Sequence, residues 1–447
     1  MKRGIFGTGA IGAGMAIPWS VFLVPSLVLA GGGPGFQKGM SLVAFSEDVY
    51  ASPESDATLD TLVASHVGWV SVCVWWFQET ASSTTIAPAD WGGTASDSSV
   101  CHIIQEAHAR GLSVMLKPMV DPEDGTWRAE INPASWPAWF ASYRRFIGHY
   151  AALGATLGVE QFSIGCEFIS SSISLGVEWA AVVDTVRSLY AGPITYAANW
   201  WEEYDLISWW HLVDLVGIDA YFPLADRDDP TVDDMAAVWD TIAVDIEAFA
   251  QGPGQGLPIV FTEIGCSSYD GAAREPWNWD YTGVVPDHQE QADYYQAFFD
   301  AIASRPWIRG VFWWSWDNSS TSDYREDGPD YEVGFTPNGK LAQEVLRGNY
   351  ALGNDGNLGV RETLLAVYPN PARDRVWLTI RHHAAPLHVA AYDLMGHRVE
   401  GEVETGVSSA GVIGLVWAPP PRVSAGTYVL RVESPARRAS ACVTLVR

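Results

Sequence analysis

Lysine is one of the scarcest residues in this 447-residue sequence. It occurs four times, at Lys2, Lys38, Lys117 and Lys340, so arginine supplies nearly all of the positive charge. Acidic residues outnumber lysine and arginine by 53 to 26, and the formal net charge is −27. Because an acidic protein repels phosphate backbones, nucleic acid is not expected as a partner. Lys117 is unusual as a rare lysine inside an apolar segment.

Cysteine is also sparse, with five residues, and none of them forms a C-x-x-C motif. No histidine lies at metal-ligand spacing from a cysteine, so neither a zinc site nor another cofactor is expected. An exported protein is permitted a disulfide, but the sequence assigns no pair, and the odd count leaves at least one thiol unpaired. We expect the cysteines to be mainly small buried residues.

A long apolar run occurs only at the amino terminus, over Ile17–Ala30, after a basic start. The run ends on small residues, which predicts a cleaved secretory signal peptide over residues 1–30. The alternative is an uncleaved membrane anchor. Pro18 and Pro25 interrupt the run and it is short for a membrane span, so cleavage is favoured.

Residues 39–350 alternate short β-rich runs with longer helical patterns. The predicted strands are Gly39–Phe45, Gly68–Trp76, Leu112–Met119, Gln161–Cys166, Ile194–Ala198, Leu212–Ile218, Ile259–Thr262 and Gly310–Trp314. The predicted helices include Trp136–Tyr150, Val177–Tyr190, Met235–Phe249 and Gln291–Ile302. Eight apolar strands separated by helices predict an α/β fold, the (β/α)8 TIM barrel. A doubly wound open sheet is the rival, but no glycine-rich phosphate loop follows Phe45.

A different pattern follows the barrel region. Residues 351–363 are predicted to be a linker, because they are rich in glycine and asparagine. Residues 364–447 show short alternating strands with turn residues between them. This pattern predicts a small all-β immunoglobulin-like sandwich domain.

Two glutamates each lie at the end of a predicted strand: Glu167 after the fourth and Glu263 after the seventh. In a barrel, these strands stand on opposite sides of the ring, and the active site lies at their carboxyl ends. Glycosidic cleavage needs such a pair, because one carboxyl protonates the leaving oxygen while the other attacks or stabilises the sugar carbon. A separation of about 5–5.5 Å indicates retention, and a larger one indicates inversion. The alternative is that either glutamate merely pairs with an arginine.

Seven segments, in order along the barrel region, resemble glycoside hydrolase family 113. They are Leu116–Asp121, Trp127–Arg128, Ile164–Glu167, Thr195–Trp200, Ile218–Leu224, Phe261–Gly265 and Gly310–Trp316. The resemblance implies a clan A barrel with endo-acting β-1,4-mannanase activity and a retaining mechanism. It also implies that Glu167 is the acid/base and Glu263 the nucleophile, the residues that the strand ends indicate.

One position departs from the wider clan. Many clan A enzymes carry asparagine just before the acid/base, where it contacts the sugar 2-hydroxyl, and this sequence has Cys166. Asn199 is the predicted substitute donor, and the choice between mannose and glucose stays open. Lys117 is predicted to bind sugar hydroxyls, or alternatively to pair with Asp121. Tyr221 is predicted to hydrogen-bond the nucleophile and hold it ionised, or alternatively to be a packing residue.

Tryptophan is abundant, with 22 residues, and many lie in segments predicted to be loops after strands. Such tryptophans typically stack on the flat apolar faces of sugar rings. Trp316, at the end of strand eight, is predicted to form the floor of the subsite where the bond breaks. Trp76, Trp127, Trp200 and Trp277 are further predicted stacking residues, with ordinary loop packing as the alternative.

Three segments of the carboxyl-terminal region resemble the sorting domain of type IX secretion: Val367–Ala372, Tyr392–Val399 and Ala425–Val432. The resemblance implies the type IX secretion machinery as a partner and a secreted or cell-surface location. An inert immunoglobulin-like spacer or a carbohydrate-binding module are the alternatives.

The main functional prediction is a monomeric, retaining endo-β-1,4-mannanase that acts on a polysaccharide or oligosaccharide. A second enzyme reading keeps the mechanism but changes the substrate to a glucan, galactan or chitosan. A third, non-enzymatic reading is a glycan-binding surface protein on a barrel scaffold, against which the two strand-end glutamates argue.

Overall fold

The computed structural model describes residues 35–317, residues 331–351 and parts of the region 363–445. In that last region the described segments are 363–368, 372–373, 375–381, 388–393, 398–399, 401–409, 412–434 and 437–445. The predicted signal peptide, residues 1–30, and residues 352–362 of the predicted linker lie outside the described residues.

Eight parallel strands form a closed barrel in the order of the sequence, and β1 pairs with β8 to complete the ring. The strands are β1 (Gln37–Val43), β2 (Trp69–Gln78), β3 (Ser113–Pro122), β4 (Gln161–Cys166), β5 (Ile194–Asn199), β6 (Leu215–Asp219), β7 (Ile259–Ile264) and β8 (Ile308–Asp317). The barrel prediction is therefore confirmed. The largest errors in a strand end, three residues each, are at the end of β3, the start of β6 and the end of β8. At β6, Leu212 belongs to a 3-10 turn and the strand starts at Leu215.

Helices surround the barrel. Those of the described residues are α1 (Pro53–Ala64), α2 (Asp97–Ala109), α3 (Trp136–Leu157), α4 (Ile169–Ser172), α5 (Gly176–Arg187), α6 (Val232–Gln251), α7 (His288–Ala301) and α8 (Leu341–Ala351). The connection between β5 and β6 contains only the 3-10 turn Trp210–Leu212. One of the eight repeats therefore lacks the α-helix that a (β/α)8 repeat usually has.

The longest helix shows how local sequence sets an element's limits. The side chain of Ser135 accepts a hydrogen bond from the Ala138 backbone N–H, and Pro137 occupies the first turn, where its missing N–H has no cost. Gly158 ends α3 in the left-handed conformation, at φ 71°. Between these signals α3 buries aromatic residues such as Trp139 and Tyr143 against the barrel.

Each barrel strand buries both of its faces, because one faces the interior and the other faces the helices. On β8, Trp313 points outward and stacks on Tyr295 of α7 with a centroid distance of 3.6 Å. Its neighbour Trp314 points inward, toward the upper end of the barrel. The alternation of side chains along a strand thus decides which tryptophans hold the fold together and which reach the cavity.

The carboxyl-terminal region is all-β. It contains two four-stranded antiparallel sheets, with strand orders β13-β14-β10-β9 and β12-β11-β15-β16. Their strands are β9 (Thr363–Tyr368), β10 (Val376–Arg381), β11 (His388–Asp393), β12 (Arg398–Val399), β13 (Glu402–Ser409), β14 (Val412–Ala418), β15 (Gly426–Ser434) and β16 (Arg437–Leu445). Trp417 of one sheet and Leu430 of the other belong to one buried cluster. The immunoglobulin-like topology stays a prediction.

Four cysteines have described side chains, and all four are free thiols. Cys73, Cys166 and Cys266 are buried, and Cys101 is half-buried. Among the described residues, no helix combines the length and the apolar character that a bilayer span requires.

Candidate active site

A cavity of about 900 Å³ opens at the carboxyl ends of the barrel strands. Glu167, directly after β4, and Glu263, the penultimate residue of β7, both line it. The closed ring brings together two residues that are 96 positions apart in the sequence. Both side chains are mostly buried, with exposures of 8% for Glu167 and 5% for Glu263.

Glu263 is held by hydrogen-bond donors on both oxygens. The ammonium of Lys117 donates to Oε1, and the hydroxyl of Tyr221 donates to Oε2 at 2.8 Å. The hydrogen bond from Tyr221 is the contact that the sequence predicts for this residue. Each oxygen of Glu263 therefore accepts a hydrogen bond, and the two donors fix the direction in which the carboxyl group faces the cavity.

Lys117 does not line the cavity; it lies fully buried beneath it. Its ammonium also contacts Asp219 at 3.3 Å, so the predicted role as a direct donor to sugar hydroxyls is wrong. The alternative pairing with Asp121 is wrong as well, because Arg128 binds that residue. Burial alone lowers the pKa of Lys117, but the negative charges of Asp219 and Glu263 outweigh burial and raise the pKa well above its ordinary value.

Asp219 is the other anchor of Lys117. It accepts a hydrogen bond from Thr262 at 2.7 Å and one from the thiol of Cys166 at 3.3 Å. Burial, followed by the nearby charge of Glu263, raises the pKa of Asp219 to about 7. Residues of β3, β4, β6 and β7 therefore converge on one buried charge network under Glu263.

Glu167 has different surroundings. Its Oε1 accepts a hydrogen bond from the Asn199 side chain at 2.6 Å, and its Oε2 accepts one from the Trp127 indole at 3.3 Å. The nearest cation is Arg128, whose Nη1 lies 3.9 Å from Oε2. Burial raises the pKa of Glu167, as does the charge of Glu263, and together they outweigh the lowering by Arg128 and Asn199. A raised pKa suits a carboxyl that must carry a proton.

Arg128 is oriented by two hydrogen bonds to Asp121, at 2.7 and 3.0 Å. Its Nη1 also contacts the sulfur of Cys166 at 3.1 Å. Asp121 and Arg128 both line the cavity beside Glu167. The position that is asparagine in many related barrels is thus occupied by a buried thiol between Arg128 and Asp219.

Three of the five predicted stacking tryptophans line the cavity: Trp127, Trp200 and Trp277. Trp200 and Trp277 stack on each other, with their ring centroids 5.4 Å apart. Asn199 and Tyr221 line the cavity as well. These rings provide the flat apolar surfaces on which sugar rings pack.

The placement of Trp76 in the cavity is wrong. Its indole N–H donates to the hydroxyl of Tyr150 at 2.9 Å, and the ring packs on Phe146 of α3. The preceding residue, Trp75, lines the cavity instead. Cys73 and Trp75 pair in register with Lys117 and Met119, so these alternate residues share the interior face. A one-residue error in parity moves a side chain to the opposite side of a strand.

The placement of Trp316 in the cavity is also wrong. It is 3% exposed and packs in the core between the barrel and its helices, and Trp314 lines the cavity in its place. On β1, Met40 and Leu42 pair with Trp313 and Trp316 of β8, so β8 contains one extra residue here. Such a bulge reverses the alternation of side chains, which the tryptophan pattern alone does not reveal.

Sequence reasoning missed several other cavity residues. Trp201 and Trp279 line the cavity and are about half exposed, at 56% and 49%. Trp201 is adjacent to a predicted stacking residue, and Trp279 lies two residues after another. Their loop positions were therefore a usable signal. The ion pair of Arg128 and Asp121 had no such signal, because Asp121 lies near the end of β3 and Arg128 begins a 3-10 turn seven residues later.

The cluster of Cys166, Asp219 and Glu263 places three potential metal-ligand atoms within 4.8 Å of one another. The positive charge at this place is supplied by Lys117, which contacts both carboxyl groups. The described residues of the site therefore contain their own cation.

Comparisons with known proteins agree with the barrel fold. The model of Glycoside Hydrolase Family 113 matches residues 43–340. Two solved structures of a GH113 β-1,4-mannanase, one of them a complex, are 28% and 29% identical to this chain. Their TM-scores are 0.63 and 0.62, and each match covers 71% of this chain and 100% of the other. The GH113 β-mannanase AaManA from Alicyclobacillus acidocaldarius, in complex with ManMIm, is 28% identical, with a TM-score of 0.62 and coverage of 71% and 97%. No curated protein matches the chain.

Proposed function

Because the chain belongs to Glycoside Hydrolase Family 113, we propose that it hydrolyses β-1,4-mannosidic linkages with retention of configuration and acts within the polysaccharide chain. The observation that carries this proposal is the unequal pair of carboxyl groups in one cavity. Glu263 accepts from an ammonium and a phenol, whereas Glu167 lies among amide and indole donors with a raised pKa.

In the first step, Glu263 attacks the anomeric carbon while the bond from that carbon to the leaving oxygen breaks. Glu167 gives its proton to that oxygen, so the leaving sugar departs as a neutral alcohol. Lys117 and Tyr221 hold the attacking carboxylate in place. Arg128 and Asn199 are positioned to balance the charge that Glu167 acquires.

In the second step, water attacks the same carbon and the ester to Glu263 breaks. Glu263 is neutral while it is esterified, so its charge no longer raises the pKa of Glu167, and Glu167 accepts a proton from the water. The electrostatic coupling between the two carboxyl groups thus makes one residue serve as acid and then as base.

Mannan is the proposed substrate because the solved relatives are β-1,4-mannanases. The aromatic lining supports a glycan substrate of several sugar units, because it includes the stacked pair Trp200 and Trp277 and the edge-to-face pair Trp75 and Trp314. Internal cleavage agrees with exposed rings such as Trp201, which offer stacking surface toward the rim of the cavity.

The test is a hydrolysis panel of mannan, β-glucan, galactan and chitosan, with NMR of the first-formed anomer. We expect mannooligosaccharides of mixed length, released as the β-anomer. Cleavage of another glycan alone would replace the proposed substrate and keep the mechanism. Initial release of the α-anomer would refute retention, and binding without cleavage of any glycan would refute the enzyme.

We also propose that the chain is exported and then sorted through its carboxyl-terminal region by the type IX machinery, to be secreted or attached at the cell surface. The support is the amino-terminal apolar run and the three resembling segments after residue 364. Expression of the full chain and of a chain ending at residue 351 in a host with type IX secretion tests this. We expect only the full chain outside the cell, with its amino terminus near Gly31. Equal export of both chains would refute the sorting role.

A further inference from the structure

A third acidic residue, Glu203, is fully buried behind the cavity and does not line it. It follows β5 and accepts three hydrogen bonds. Ser172 and Tyr196 donate their hydroxyls to Oε1 at 2.5 and 2.6 Å, and the backbone N–H of Asn199 donates to Oε2 at 2.6 Å. Glu203 therefore joins α4, β5 and the turn after β5.

Two of these contacts lead directly to Glu167. Asn199, whose backbone is held by Glu203, donates its side-chain amide to Glu167 at 2.6 Å. Tyr196, whose hydroxyl is oriented by Glu203, accepts the backbone N–H of Phe168 at 2.7 Å. Glu203 thus reaches both the carboxyl group of Glu167 and the peptide that follows it.

The backbone of Glu167 needs such support. Its φ is 54°, in the left-handed region that residues with a side chain rarely adopt. A strained conformation persists only where its surroundings hold it in place. The Glu167 N–H donates to the Ala197 carbonyl at 2.8 Å, and the Tyr196 hydroxyl holds the next peptide.

Burying the carboxyl group of Glu203 costs free energy, because the group loses its hydration. Burial raises the pKa of Glu203 to about 8, against the lowering by its three donors. An apolar residue would avoid this cost but would leave three donors without an acceptor. A glutamine offers one acceptor oxygen in place of two, so it cannot receive all three donors.

We propose that Glu203 is a positioning residue that orients Glu167 for proton transfer, through Asn199 on one side and Tyr196 on the other. The inference rests on the proposed function, in which Glu167 is the general acid. It goes beyond that function because the orientation of Glu167 is assigned to a residue that touches neither the substrate nor the cavity.

The test separates proton transfer from every other step by varying the leaving group. A mannooligosaccharide needs a proton on its departing oxygen, whereas a 2,4-dinitrophenyl β-mannoside departs without one. The variants are Glu203→Gln and Tyr196→Phe, and kcat/KM is measured because it reports the step that forms the covalent intermediate. The matched control is Glu290→Gln, since Glu290 is a buried carboxyl that accepts two backbone N–H groups, of Gly271 and Ala273, with no link to Glu167.

We expect Glu203→Gln and Tyr196→Phe to lower kcat/KM for the oligosaccharide by about 10–100-fold, part of what a general acid contributes. For these two variants, kcat/KM on the dinitrophenyl substrate should stay within about threefold of the wild-type value. The Glu290→Gln control should leave kcat/KM unchanged on both substrates. Equal losses on both substrates, or no loss on either, would overturn the proposal. If Glu203→Gln does not fold, as thermal unfolding would reveal, Tyr196→Phe carries the test alone. A wild-type protein inactive on both substrates would refute the proposed function instead.

Discussion

The two sides of the cavity contain the same functional group in opposite surroundings. On the β7 side, Glu263 lies against a buried ammonium, and a second carboxyl, Asp219, shares that ammonium. On the β4 side, Glu167 contacts an amide and an indole, and its nearest cation, Arg128, is 3.9 Å away. The difference teaches that surroundings, and not residue type, divide the work between the two glutamates: one side favours an oriented nucleophile and the other a retained proton.

The largest effect should come from removing either carboxyl. We expect Glu263→Ala and Glu167→Ala each to lower kcat by at least about 10³-fold, because each removes a group that acts on the reacting atoms. Azide distinguishes the roles, since it enters the space that the lost carboxyl leaves. Glu167→Ala with azide should yield the β-glycosyl azide and Glu263→Ala the α-glycosyl azide, identified by NMR. The reverse pairing would exchange the two roles.

The next effect should come from the cation under Glu263. Lys117→Met should lower kcat by about 10²–10³-fold, the size expected for one preorganised donor. It should also destabilise the fold by about 3–5 kcal/mol, because two buried carboxyl groups lose their partner. Initial rates measure the change in kcat, and urea unfolding measures the change in the free energy of unfolding. Lys38→Met is the control, since Lys38 bonds the Tyr350 carbonyl and lies outside the cavity lining. An active Lys117→Met enzyme would remove the contrast between the two sides.

Glu203, the buried carboxyl behind Glu167, should also make the stability of the fold depend on pH. The pKa of Glu203 rises from 4.5 to about 8 on folding, so between these values the folded state binds a proton that the unfolded state has released. The stability from this residue is therefore complete below pH 4.5 and lost as pH rises through 8. Wild type should lose a few kcal/mol more than Glu203→Gln between pH 5 and 8 in urea unfolding. Parallel curves for the two proteins would contradict this.

A smaller effect should separate the hydrogen-bond partners of the two carboxyl groups. Tyr221→Phe removes a donor to Glu263, and Asn199→Ala removes one to Glu167. Each should cost about 10–100-fold in kcat/KM on mannooligosaccharides, as expected for a hydrogen bond to a charged group. Only Tyr221→Phe should keep this loss with a dinitrophenyl leaving group, because that substrate needs no acid. Identical leaving-group profiles would show that the two sides are not specialised.

The smallest effect should distinguish two neighbouring tryptophans of β2. Trp75→Ala, inside the cavity, should raise KM for mannan by about tenfold. The size is taken from nucleic-acid bases stacked on aromatic side chains, where each stacked ring contributes about 1–3 kcal/mol. Trp76→Ala, against α3, should leave KM unchanged and lower thermal stability, because it leaves a void in the packing. A rise in KM for Trp76→Ala would contradict the strand parity.

Most of the barrel was predictable because its signals are local. Each predicted strand has a counterpart, and α3 starts at the predicted Trp136. Its predicted end at Tyr150 is wrong, because the helix continues to Leu157 and stops at Gly158. The two glutamates were visible as strand-end residues for the same reason. The connection from β5 to β6 was not, since it contains a 3-10 turn where a (β/α)8 repeat usually has an α-helix.

The sequence by itself determined the ring of strands and the two acids at its mouth, because strand period and strand ends are properties of short segments. The tertiary structure alone decided which side of each strand faces the cavity, as Trp75, Trp76, Trp314 and Trp316 demonstrate. It also decided that Lys117 lies beneath Glu263 instead of against substrate. These outcomes depend on ring closure, on one extra residue in β8 and on contacts between residues over a hundred positions apart, and no short segment encodes any of them.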